Sequence, residues 1–294
     1  MRTTPVILIL FLVTAALLLA GCTQSTPAVQ PTILPTAVPT TMAPADSITV
    51  MDSSLGKILT GANGMTLYYF TADVPAAGTS ACNNGANCST TWPPFSVDTV
   101  VISPPLDAGD FASITRADGR KQTTYYGWPL YNFAKDTKPG DVNGENVIKK
   151  WHVVKPDYSV WIASTPTFGS FLTDQNGRTL YFFLKDTTGA STCTGACLTK
   201  WPAFTTDATV LPPVLQMSDF STITRADGVK QSAFMGKPLY YYSGDTGPGM
   251  TTGNGFINSW AVANISGTVP VFATPTATPA PGVTTQGIVM GGGY

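Results

Sequence analysis

The sequence predicts an all-β protein, and three observations carry that prediction. Of its 17 acidic residues only Glu145 is a glutamate, and aspartate favours turns where glutamate favours helices. Short strand-like runs are separated by Asn-Gly and Asp-Gly, the dipeptides of tight hairpins. No segment keeps an apolar stripe of helical period over ten residues. Charged residues make up only 11% of the chain, so Thr, Ser, Asn and Gly must supply the surface polarity, as suits an extracellular β-protein.

Taken in order, the chain begins with an export pattern. Arg2 is the only charge before Asp46, and Pro5 to Ala20 is apolar apart from Thr14. That run is short for a membrane span, which needs about 20 residues, and suits a signal-peptide core. It ends in Leu19-Ala20-Gly21-Cys22, so residues 1–22 read as a lipoprotein signal with Cys22 as the lipidated residue. An uncleaved N-terminal anchor is the alternative; either places the rest of the chain at the cell membrane, facing the outside of the cytoplasm. Residues 23–45 hold five Pro and six Thr without a charge, which predicts an extended tether reaching roughly 70 Å. Residues 267–294, with Thr-Pro repeats and a Gly run, predict a disordered tail of the same character.

Between these lie two tandem domains, 46–156 and 157–266, each large enough for its own core. Gly56 to Thr60, a turn at Asn63-Gly64, and Met65 to Phe70 predict a hairpin, repeated by Gly169 to Thr173, Asn176-Gly177 and Arg178 to Phe183. Asp118-Gly119 and Asp227-Gly228 mark a second hairpin in each domain. Phe111 to Tyr131 aligns without gaps on Phe220 to Tyr240, with 13 of 21 positions identical. Trp92 matches Trp201 and Trp151 matches Trp260 at an offset of 109, whereas Tyr68 matches Tyr181 at 113. The slip falls around the cysteines, as expected of a surface loop.

A finer repeat runs through both domains. Tyr-x-aromatic-x-x-Asp occurs as Tyr68/Phe70/Asp73, Tyr131/Phe133/Asp136, Tyr181/Phe183/Asp186 and Tyr240/Tyr242/Asp245, so each domain is built of two related halves. In a strand the Tyr and the aromatic two residues on share one face, and the Asp falls where the strand ends. The expected role is structural: the rings fill the core and each carboxylate accepts N–H groups of the following turn. The alternative is that the Asp residues ligate a cation or that the Tyr residues form a ligand platform.

The motif, a Cys pair, the Trp-Pro that follows it and the lipobox together resemble predicted lipoproteins that carry a secreted repeat of unknown function. The resemblance spans about 47–265 and rests on the four motif copies, Cys82/Cys88/Trp92-Pro93 and Cys193/Cys197/Trp201-Pro202. It implies a secreted, surface-anchored repeat protein and supplies no catalytic residues.

With Cys22 lipidated, each remaining Cys pair lies within one domain. Outside the cell the expected state is two disulfides, Cys82–Cys88 and Cys193–Cys197. A shared four-cysteine metal site is the alternative, although the x5 and x3 spacings depart from the usual x2 knuckle. Asp136 to Glu145 resembles a calcium loop through Asp141, Asn143 and Glu145, but Met250 stands at the position matching Asp141. His152, the only histidine, has Ala261 as its counterpart and reads as a surface or packed side chain.

No nucleophile elbow, phosphate loop or two-histidine metal motif is present, so neither a catalytic residue nor a cofactor is expected. A net charge of −1 without a basic cluster excludes the footprint needed for nucleic acid. The expectation is a non-catalytic binding or structural module. Its partners would be the membrane, through the N-terminal lipid, and a surface glycan or protein. Tyr125, Tyr126, Trp128 and Phe234 are candidates for an exposed stacking platform, with the core as their alternative home. The rival class is an extracytoplasmic metal-binding or redox lipoprotein.

Overall fold

The computed structural model describes residues 47–83, 87–207 and 210–267. Cys22, the tether and residues 268–294 lie outside the described residues. In the first half the strands are β1 (Ser47–Ser53), β2 (Gly56–Gly61), β3 (Tyr68–Phe70), β4 (Val101–Ile102), β5 (Phe111–Thr115), β6 (Lys121–Tyr125), β7 (Trp128–Pro129) and β8 (Trp151–Val153). The second half adds β9 (Trp161–Thr165), β10 (Gly169–Thr173), β11 (Tyr181–Phe183), β12 (Phe220–Thr224), β13 (Lys230–Phe234), β14 (Lys237–Tyr240) and β15 (Trp260–Val262). The α-helices among the described residues are α1 (Cys88–Thr91) and α2 (Ala196–Lys200), one short turn in each half. The chain is all-β.

The Asp-Gly hairpins form as the dipeptides dictate. Strand β5 pairs with β6, and β12 with β13, around Gly119 and Gly228, whose φ of +80° and +81° is costly for a residue with a Cβ. The Asn-Gly hairpins are shorter than the sequence suggests. Strand β2 pairs along its length with the preceding β1, and the chain returning from Gly64 meets it only through bonds such as Leu67 N–H to the Leu59 carbonyl. It then crosses to pair as β3 with β8, some 80 residues away in sequence. Tyr68 and Tyr69 of β3 are buried and Phe70 stacks on Trp151 of that long-range partner, which outweighs the local turn.

Each half closes about a local two-fold relation between its repeats. Tyr68 and Tyr131 exchange backbone hydrogen bonds of 2.8 and 2.9 Å, and Tyr181 stands opposite Tyr240 in the same way. The halves then pack on each other. Trp161, from the second half, lies 4.7 Å from the Tyr69 ring and stacks on Trp128 at 5.4 Å. Ser164 N–H donates to the Thr71 carbonyl, and Trp128 Nε1–H to the Gln175 carbonyl. A Cβ at Gly177 would collide with Pro75 of the other half, so glycine permits that approach. One aromatic core therefore runs through both halves.

Candidate functional site

The repeated motif resolves into crossed pairs. Tyr68 O–H donates to Asp136 Oδ2 at 2.7 Å, while Tyr131 O–H donates to Asp73 Oδ2 at 2.7 Å. Tyr181 pairs likewise with Asp245, and Tyr240 with Asp186. Each tyrosine thus reaches the acid of the neighbouring repeat. The other carboxylate oxygen accepts backbone N–H: Ala81 for Asp73, Asn143 for Asp136, Thr192 for Asp186 and Thr252 for Asp245. All four acids are buried. Burial pushes the Asp73 carboxyl up to about 7, against the opposing pull of Ala81, Tyr131 and Arg116. Burial, with the neighbouring acid second in weight, drives the phenols of Tyr68, Tyr131, Tyr181 and Tyr240 well above their usual range.

The motif aromatics meet stacked indoles. Trp92 lies on Trp151 at 3.8 Å and Trp201 on Trp260 at 3.6 Å, with Phe70 and Phe183 on the far faces of Trp151 and Trp260. Phe133 and Tyr242 cover the other two indoles at 4.3 and 4.4 Å. Both disulfides are present, Cys82–Cys88 and Cys193–Cys197, with Cα–Cα separations of 5.6 and 5.3 Å.

Two buried arginines escape the reading of the sequence. Arg116 donates to the Cys82 carbonyl, Ser80 and Gln122, and Arg225 to the Cys193 carbonyl, Ser191 and Gln231. They tie the disulfide loop of one repeat to the hairpin of the next. Their identity within the 21-residue internal match is the signal that could have found them. The expected stacking platform needs correction: Tyr125, Trp128 and Phe234 are core residues, and only Tyr126 is partly exposed. An alternating strand buries the same large rings that a surface platform would display.

His152 takes the second of its two sequence readings, that of a packed side chain. It is buried, and its Nδ1 lies 2.7 Å from Glu145 Oε1, so the only histidine and the only glutamate form a pair. Glu145 Oε2 accepts Val153 N–H, and the carboxylate thus faces the imidazole as an acceptor. The carboxylate can accept a proton held on Nδ1, and the ring itself is packed at 1% exposure. Asp141, by contrast, caps its own turn through Thr137 and Lys138 N–H, so the acids of the calcium-like stretch point to different partners.

His152 lines a cleft of about 480 Å³ at the junction of the halves, with Asn146 and Lys149 on one side and Leu215, Asp219 and Met235 on the other. Ser170 also borders it but makes no hydrogen bond to His152. The arrangement offers hydrogen-bonding groups against an apolar wall, a combination that binds small molecules.

A family model described as a secreted repeat of unknown function matches residues 49–96, 112–155, 163–205 and 221–264, one match for each copy of the motif. Neither a curated protein nor a solved structure matches the chain.

Proposed function

Because the chain belongs to the secreted repeat family of unknown function, we propose that it is a non-catalytic binding module tethered outside the cell by a lipid on Cys22. The cleft between the halves carries this reading. It is the place where the lone His–Glu pair, a cation and an unpaired acid meet an apolar wall. The crossed Tyr–Asp pairs, stacked indoles and disulfides serve the scaffold. The lipobox and the Thr/Pro-rich segment support display at a distance from the membrane.

The test has two arms on the full-length protein extracted in detergent. Intact mass of the N-terminal peptide should report a lipid-modified Cys22; an unmodified Met1 or Cys22 would remove the anchor from the proposal. A melting-temperature screen against amino acids, short peptides and oligosaccharides should give a rise with one class and no turnover. Conversion of any compound in the screen would replace the non-catalytic reading with an enzymatic one.

A further inference from the structure

A duplicated chain supplies its own reference, because each position in one half can be compared with its counterpart on the same backbone. The loop before β8 shares its shape with the loop before β15: Ile148 and Ile257 have φ of 47° and 46°, and both side chains are exposed. The side chains around them differ. Glu145, Asn146, Lys149 and His152 stand where the second half has Asn254, Gly255, Asn258 and Ala261. Asn254 Oδ1 still accepts Val262 N–H, as Glu145 Oε2 accepts Val153 N–H. The structural task of that position is met by Asn, and the extra carboxylate oxygen of Glu145 serves only to hold His152.

A further divergence comes from the other half. Asp110 hydrogen-bonds Tyr126, whose phenol is pushed up to about 12 by burial first and by this acid second. The counterparts are Asp219 and Met235, and methionine has no donor to offer. Asp219 is thereby released into the cleft, where Met235 joins Leu215 and Ile265 as apolar wall. Among the described residues neither Lys149 nor Asp219 has an ion-pair partner. Three of the four loop changes and the freed acid thus line one cleft, and the fourth, Glu145, orients a side chain within it.

We infer that this cleft binds a small zwitterion with an aliphatic body, a free amino acid or short peptide of the leucine type. Lys149 and the Asn146 amide supply donors for a carboxylate, Asp219 supplies the acceptor for an ammonium, and the wall takes the aliphatic side chain. A cation and an anion left unpaired in one cleft favour a ligand that brings both signs, since a ligand of one sign would leave a partner unmatched. A cleft of about 480 Å³ accommodates a dipeptide.

The inference rests on the proposed binding function, and calorimetry on the full-length protein separates the two. Leucyl-leucine should bind, and hexanoate and hexylamine should each bind at least about tenfold more weakly, the scale of one charge-assisted contact. Asp219→Asn should weaken leucyl-leucine by a similar factor while leaving hexanoate unchanged. A combined variant, Glu145→Asn, Asn146→Gly, Lys149→Asn and His152→Ala, installs side chains that the same backbone carries in the other half. It should therefore fold and lose the dipeptide. Failure of the wild-type protein to bind leucyl-leucine, equal binding of hexanoate, or unchanged binding by the combined variant would overturn the inference and leave the displayed module intact. Hydrolysis of the bound dipeptide would uphold the site and overturn the non-catalytic reading.

Discussion

Asp73 shows how burial turns one side chain into a pH-sensitive contributor to stability. Its carboxyl titrates near 7 in the folded chain and at about 4 when unfolded, so between those values the folded state holds a proton that the unfolded state has released. Stability from this group therefore falls as pH rises from about 4 to 7 and is lowest above 7. Asp73→Asn should flatten that part of the profile, measured as urea midpoints at pH 5 and pH 8; an unchanged slope would mean the acid is ionised throughout. Tyr131→Phe removes the hydroxyl that donates to Asp73 and accepts from Ser80 and should cost about 1–3 kcal/mol, read from the same midpoints. The motif itself is visible in the sequence, but its crossing is not. A tyrosine bonded to an acid 58 or 68 residues away leaves no local pattern. The role of His152 is hidden for a related reason: its partner is seven residues back, across a turn where no regular periodicity links the two.

The elements differ in how far their own residues determine them. The Asp-Gly hairpins close on adjacent strands and can be read directly from dipeptide and flanks. Strand β3 has only three residues and takes its partner from the far end of the half, so its pairing follows from the shared core and not from its turn. The cysteine loops can be read from spacing and compartment, while the buried arginine that holds each loop carbonyl cannot. Breaking a disulfide by paired Cys→Ser should cost about 2–2.5 kcal/mol in the chain-entropy picture, since each loop is short. The two losses should be additive in thermal or urea unfolding, because the loops belong to different halves. Marked non-additivity would show that the two loops are energetically coupled.

For the whole molecule, the sequence conveys the duplication but not the depth of contact between the duplicates. Tyr69, Trp128, Tyr158 and Trp161 form a junction that separation would expose. Residues 46–156 or 157–266 expressed alone should melt below the intact chain and self-associate through those rings, as sedimentation would show. Halves that melt at the temperature of the intact chain as monomers would refute this. The cleft belongs to this scale too, because its sides come from different halves and no single repeat could have announced it.

The crossed Tyr–Asp pairs impose a rule of parity on such chains. A lone repeat would carry a phenol without its acceptor and a carboxylate without its donor, both placed to be buried. Gain or loss of a single copy is therefore penalised at once, whereas gain or loss of two leaves every partner in place. The heritable unit is the pair, and genes of this kind should grow and shrink by even numbers. The present chain, with four copies, is one such doubling, and a natural chain with three functional copies would be the exception that disproves the rule.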